Sequence, residues 1–408
     1  MKYCLIGEVL KHSYSQVIHE KFGLDYKLVE VKKDMLDNFF KECPYDGFNV
    51  TIPYKKDVLP YMAELSPIAQ SAGAVNTVVN KNGVFYGYNT DVDGMNYMIN
   101  RIGLTLKDKH VMILGSGGTS NTAVTLSKRE GAKSITVVSR TGKVNYENCY
   151  DLVDTEIIIN CTPVGMFPKV YAKPINLAPF KKLLGVFDCI YNPKNTELLM
   201  EAKSLGIPCE DGLSMLVEQA LLAKDIWTNT SHDKLVTENT IKEIRKLTYN
   251  IILCGMPSAG KTSVGKLISK TTGLTFYDSD DEIIKKTGKT PSEIINEQGE
   301  SCFRDIESEV VKELSIKSGA VISLGGGAIL REENVTNLKR NGAIIYIKRD
   351  VNLLTSDNRP ISQKEGIKAL YEKRKSIYES VSDIIVENDT TIENCAKKVI
   401  KDYENSCN

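Results

Sequence analysis

The chain has 408 residues, 42% of them apolar, with 52 lysines and arginines against 52 aspartates and glutamates. The length sets a prior of about two to three domains, and the even charge supplies no overall field for nucleic acid or an anionic membrane, which points to small-molecule partners. Ten cysteines fall singly with no Cys-x-x-Cys pair, the pattern of buried reduced thiols and not of a disulfide framework or a zinc site.

Residues 1–100 alternate short β-like runs (Lys2–Ile6, Tyr26–Val31, Gly47–Ile52, Ala74–Asn80, Val84–Tyr88) with helical segments (Gln16–Phe22, Met35–Lys41, Met62–Ser71). Such alternation predicts an α/β layer fold. The first apolar run is too short for a signal segment and no apolar stretch approaches the roughly 18 residues of a membrane span, so the expected location is the cytoplasm.

A strand at Val111–Leu114 then enters the loop Gly115-Ser116-Gly117-Gly118-Thr119-Ser120, followed by a helix to Arg129 and a strand Ser134–Ser139. This is a variant of the dinucleotide fingerprint, in which glycines let phosphates approach a helix N-terminus. Ser139-Arg140-Thr141 stands at the ribose-recognition position. A carboxylate there repels a 2′-phosphate and an arginine attracts one, so the expected cofactor is NADP.

Strands at Ile157–Asn160 and Val186–Ile190 extend a parallel sheet. After Gly212, a helix over Leu213–Trp227 carries Leu213, Leu216, Val217, Ala220 and Leu221 as a core stripe, with Met215, Gln219 and Leu222 on an adjoining face. Polar residues from Thr228 to Asp233 mark a junction, and Lys234–Lys246 reads as a charged helical connector.

A second strand, loop and helix begins at Ile251–Cys254 and continues as Gly255-Met256-Pro257-Ser258-Ala259-Gly260-Lys261-Thr262, with Val264, Leu267 and Ile268 at helical spacing. This is a phosphate loop. The glycines let backbone N–H groups turn inward around the polyphosphate of ATP, Lys261 reaches its terminal phosphates, and the Thr262 hydroxyl can ligate Mg²⁺. Ser258, Ala259, Gly260 and Ser263 are the further cofactor-binding candidates of the loop.

The first half also contains His12-Ser13-Tyr14-Ser15, Asn49-Val50-Thr51-Ile52-Pro53-Tyr54-Lys55, Ala72-Gly73-Ala74-Val75-Asn76-Thr77 and Asn89-Thr90-Asp91. Asn160-Cys161-Thr162-Pro163-Val164-Gly165-Met166, Asp188-Cys189-Ile190-Tyr191-Asn192-Pro193 and Gly212 to Gln219 follow. Together they resemble the shikimate dehydrogenase family over nearly all of residues 1–228. The resemblance implies that Ser13, Ser15 and Tyr191 hydrogen-bond a substrate carboxylate, that Thr51, Asn76 and Gln219 hold ring hydroxyls, and that Lys55 and Asp91 form the catalytic pair. Cys189, Gly212 and Met215 fall on the cofactor side.

Residues 249–390 resemble the shikimate kinase family through Asp278-Ser279-Asp280, Gly299 to Arg304, Gly325-Gly326-Gly327-Ala328, Arg359-Pro360 and Arg374 with Tyr378. By that resemblance Asp280 contacts the acceptor hydroxyls and takes a proton, Arg304 and Arg374 pair with its carboxylate, Gly326 lets backbone approach the ring, Arg359 covers ATP, and Asp278 sits near Mg²⁺. Ser258 stands where that family often has glycine.

The expected arrangement is thus α/β throughout. It comprises a substrate-binding domain over 1–100 completed by the 213–228 helix, a Rossmann-type NADP domain over 101–212, a linker over 229–248, and a P-loop kinase domain with a parallel sheet over 249–408.

Overall fold

Apolar runs alternating with helical periodicity build three sheets in the computed structural model, which describes residues 1–10, 13–355 and 366–407. The chain separates into two units, one of Met1–Tyr191 with Thr196–Ile241 and one of Asn192–Asn195 with Lys242–Asn408.

In the first unit β1 (Lys2–Gly7), β2 (Asp25–Glu30), β3 (Gly47–Val50), β4 (Met62–Leu65), β5 (Thr77–Lys81) and β6 (Val84–Tyr88) form a mixed sheet in the order β2-β1-β3-β5-β6-β4. Asn82 and Gly83 join β5 to β6 with φ of 55° and 84°. Positive φ at both positions is what an Asn-Gly hairpin turn requires.

The helix expected over Met62–Ser71 is a strand followed by a short helix. β4 pairs in parallel with β6, and the helix occupies only Pro67–Ala72. Ser66 explains the break: the proline after it disfavours the helical region, so Ser66 is extended (ψ 154°) and its hydroxyl accepts from Ala69 N at 3.2 Å as the cap.

Counting in chain order, the helices here are α1 (Ser15–Lys21), α2 (Leu36–Glu42), α3 (Pro67–Ala72), α4 (Asp91–Arg101), α5 (Gly118–Arg129), α6 (Glu197–Ser204) and α7 (Leu213–Thr228). A second sheet of β7 (His110–Leu114), β8 (Ser134–Val138), β9 (Ile157–Asn160), β10 (Gly185–Asp188) and β11 (Cys209–Glu210) is wholly parallel, in the order β11-β10-β9-β7-β8. α7 packs on α1 and α4. The close approach depends on Gly94, where a Cβ would stand 2.7 Å from the Met215 carbonyl and 3.0 Å from Gln219 Cβ. Leu213, Val217, Ala220 and Leu221 are buried as the stripe requires, whereas Leu216 is half-buried on a cavity wall.

The connector is helical, α8 (Lys234–Thr248). In the second unit β12 (Asn250–Cys254), β13 (Thr275–Asp278), β14 (Ala320–Ser323), β15 (Gly342–Lys348) and β16 (Ile384–Glu387) form a parallel sheet in the order β13-β14-β12-β15-β16. β12 is central and fully buried, as a continuous apolar run in a covered parallel sheet should be. Around it lie α9 (Lys261–Thr272), α10 (Ser279–Thr287), α11 (Pro291–Ser315, kinked at Gly299), α12 (Glu332–Lys339), α13 (Ile367–Val381) and α14 (Ile392–Ser406). Among the described residues no helix is long and apolar enough to cross a membrane.

Candidate active sites

In the first unit the end of β3 delivers Thr51 and Lys55 to the mouth of a cavity of about 610 Å³, and the start of α4 delivers Asp91 to the same space. Lys55 Nζ stands 2.6 Å from Asp91 Oδ2, with side-chain exposures of 21% and 9%. Asp91 is the first residue of α4.

Asn76 fixes the other carboxylate oxygen. Its Nδ2 donates to Asp91 Oδ1 and Thr90 Oγ1, each at 2.9 Å, and reaches Gln219 Oε1 at 3.4 Å. Behind it, Asn49 Nδ2 donates to the Asn76 carbonyl at 3.1 Å while Asn49 Oδ1 accepts from Tyr26 at 2.7 Å. Asn49 and Thr90 were not among the expected site residues; their buried polar character was visible only in the short motifs around Lys55 and Asp91.

Ser13, Ser15 and Tyr191 line the same cavity, as do Thr119, Cys189, Gly212, Met215 and Gln219. Burial pushes the Tyr191 phenol up to about 12, so it stays a neutral donor.

The remaining cofactor candidates lie along the ends of β7 and β8. These strands pair in register to Leu114 and Val138, and Gly115 N donates to the Val138 carbonyl at 2.8 Å, so the glycine loop and Ser139-Arg140-Thr141 are neighbours. Gly115 turns at φ 105°, and α5 starts at Gly118 with its N-terminus open to an anion. Ser116 and Gly117 lie between them. Arg140 is exposed. A helix N-terminus with an exposed arginine adjacent suits a pyrophosphate and a 2′-phosphate.

In the second unit the loop after β12 turns through Gly255 (φ 139°), Ser258 (φ 64°) and Gly260 (φ 94°) into α9. Ser258 thus occupies a left-handed conformation that costs a non-glycine residue about 1–2 kcal/mol. Its hydroxyl lies 2.9 Å from the Thr355 carbonyl. Asn388 Nδ2 supports the loop by donating to the Ala259 carbonyl at 2.8 Å. Lys261 Nζ rests on the Gly255 and Met256 carbonyls at 3.0 Å each. Ser263 follows in the first turn of α9.

Thr262 Oγ1 donates to Asp278 Oδ2 at 2.8 Å and lies 3.5 Å from Ser323 Oγ. This all-oxygen group at the end of the loop fits Mg²⁺, a hard cation. Asp278 also caps α10, accepting from Asp280 N at 3.1 Å.

Asp280, Arg304, Gly326 and Arg374 line a cavity of about 660 Å³ together with Lys261, Thr262 and Asp278. Arg374 is buried and donates to the Gly326 carbonyl at 3.1 Å, and the Tyr378 hydroxyl donates to the same oxygen. A Cβ at Gly327 would stand 2.2 Å from Arg304 Nη1, so the glycine run lets the guanidinium lie on backbone.

Glu307, absent from the sequence expectations, is buried in this wall and accepts from Arg304 Nη1 at 2.7 Å. Burial pushes its carboxyl up, against the pull of Arg304. Its signal was the i, i+3 spacing from Arg304. Arg359 lies outside the described residues.

An acid–base pair beside a dinucleotide loop and a phosphate loop facing converging arginines define an oxidoreductase half and a phosphotransferase half. The model of the family described as "Shikimate dehydrogenase substrate binding domain" matches residues 5–78, and that described as "Shikimate kinase" matches residues 257–404. The shikimate dehydrogenase (NADP(+)) of Clostridium beijerinckii is 37% identical over 257 residues, 58% of this chain and 95% of that relative. Among solved structures, a chorismate mutase/shikimate 5-dehydrogenase fusion protein from Clostridium acetobutylicum is 35% identical with a TM-score of 0.57, covering 60% of this chain and 97% of that one. Shikimate 5-dehydrogenase from Thermus thermophilus, in complex with NADP(H) and shikimate, is 27% identical with a TM-score of 0.53, covering 59% and 98%.

The chain belongs to the shikimate dehydrogenase family and carries a shikimate kinase domain behind that portion. It is a bifunctional enzyme of the shikimate pathway, using NADP in the first half and ATP in the second.

Proposed function

We propose that the first unit reduces 3-dehydroshikimate to shikimate and that the second phosphorylates the 3-hydroxyl of shikimate, so that one product is the next substrate. The observation that carries the first assignment is the 2.6 Å contact of Lys55 with Asp91 inside a cavity rimmed by serine, threonine, asparagine and glutamine side chains.

NADPH, when bound, supplies the hydride. The chain's part is the proton. The Lys55 ammonium delivers it to the oxygen on which negative charge develops, and Asp91, held by Asn76, keeps that ammonium oriented. Ser13, Ser15 and Tyr191 take the substrate carboxylate, while Thr51, Asn76 and Gln219 take the ring hydroxyls. The Arg140 side binds the 2′-phosphate.

In the second unit Arg304 and Arg374 anchor the carboxylate of shikimate and Asp280 accepts the proton of the attacking hydroxyl. Thr262 and Asp278 would hold Mg²⁺, which neutralises phosphate charge when bound. Lys261 leaves the Gly255 and Met256 carbonyls for the terminal phosphates. Arg359 belongs to the proposed cover over ATP.

The proposed domains are 1–100 with 213–228, 101–212, and 249–408, joined by 229–248. The proposed location is the cytoplasm, where NADPH and ATP are both supplied.

Separate Lys55→Ala and Lys261→Ala variants test the roles. Lys55→Ala is expected to lose NADPH oxidation and keep phosphorylation of added shikimate, and Lys261→Ala the reverse. A variant that retains its own reaction overturns that role.

A further inference from the structure

Cys161 and Cys189 follow β9 and β10 directly, one step past the paired Asn160 and Asp188, so parallel register sets them side by side. Their sulfurs lie 4.0 Å apart. Neighbouring strands are about 4.8 Å apart, within the roughly 4.4–6.8 Å that the Cα atoms of a disulfide span, and bonding needs the sulfurs to close by about 2 Å. Both residues are partly exposed, and Cys189 lines the cavity that holds Lys55 and Asp91.

We propose that Cys161 and Cys189 form a dithiol site that a peroxide-class oxidant converts to a disulfide, and that this disulfide switches off the dehydrogenase while the kinase continues. One sulfur, as its thiolate, attacks a peroxide oxygen; the O–O bond breaks and the departing hydroxide leaves as water after protonation. The second thiol then attacks the resulting sulfenic sulfur, the S–S bond forms, and a second water departs. The two thiols lose two electrons and two hydrogens, and the peroxide takes both.

The backbone around the pair explains why closure is felt at the cofactor side. A Cβ at Gly212 would stand 2.2 Å from the Cys189 carbonyl oxygen, and one at Gly115 would stand 3.4 Å from that of Cys161. Each cysteine is therefore seated against a loop of the cofactor side, and drawing the sulfurs together displaces those loops. The hydrogen bond to Cys161, then burial, holds the Cys189 thiol well above the usual range, and the thiolate that attacks a peroxide is more abundant in alkaline buffer.

The loss of activity rests on the assignment of this cavity to the dehydrogenase reaction; the cross-link does not. The test treats the full chain with hydrogen peroxide at neutral and alkaline pH, followed by peptide mapping and both assays. The expected result is a peptide pair joined through Cys161 and Cys189 and lighter by two hydrogens. It should come with loss of most of the NADPH oxidation, recovery with dithiothreitol, and unchanged phosphorylation of shikimate. Cys161→Ala is expected to keep its starting rate under peroxide. Absence of the joined peptide in alkaline peroxide, or equal loss of rate in Cys161→Ala, overturns the proposal. A chain without NADPH oxidation before treatment counts against the cavity assignment instead.

Discussion

Glu307 accepts from Arg304 at 2.7 Å while only 1% exposed, and its second carboxylate oxygen has no hydrogen-bond partner among the described residues. A buried carboxylate that grips an arginine at the wall of a cavity aims that arginine. Glu307→Gln keeps the shape and removes the charge. It is expected to raise the KM for shikimate about tenfold, equivalent to about 1.4 kcal/mol, with NADPH oxidation unchanged. Steady-state kinetics of both reactions check this, and an unaltered KM removes Glu307 from the positioning of Arg304.

Arg140 stands exposed beside the glycine loop. A charge-assisted bond to phosphate contributes about 1.5–3 kcal/mol, so Arg140→Ala is expected to raise the KM for NADPH by roughly tenfold or more and to leave the rate with NADH where it was. Equal effects on both cofactors would assign Arg140 to folding and not to the 2′-phosphate.

His232 lies between two carboxylates of α7, with Nε2 3.2 Å from Glu218 and Nδ1 2.6 Å from Asp225, which Lys224 also contacts. The hydrogen bond to Glu218, joined by that to Asp225, raises the imidazole above its usual value against the opposing effect of burial. A pKa raised by folding gives stability that is fully present below the unfolded value near about 6.5 and fades as pH climbs through the folded value. His232→Gln is therefore expected to cost the first unit more at about pH 5.5 than at about pH 9. Denaturant titrations at both pH values measure it, and a cost independent of pH would mean that His232 acts by packing alone.

Most elements were legible because apolar period and turn chemistry agreed. The central strand β12 and the loop after it are one uninterrupted signal, from Ile251 through Lys261. Met62–Leu65 was misread because a four-residue edge strand leaves too few positions to distinguish its period from that of a helix, although Ser66-Pro67 already marked a helix start. Strand order was not legible. It depends on pairings such as β12 with β14 and β15, which lie far apart in sequence. The candidate residues that the structure gathers around the two cavities carry motifs, whereas Asn49 and Glu307 stand one contact further back. Only the folded packing shows that Asn49 holds Asn76 and that Glu307 holds Arg304.

The most direct measurement is a single-tube coupled assay. The purified chain is mixed with 3-dehydroshikimate and NADPH while NADPH absorbance is followed, and Mg-ATP is then added with mass detection of products. The expected result is NADPH oxidation matched by shikimate, then conversion of that shikimate to shikimate 3-phosphate only after Mg-ATP. NADPH oxidation with no phosphorylated product, or phosphorylation of added shikimate with no NADPH oxidation, would contradict two working halves in one chain.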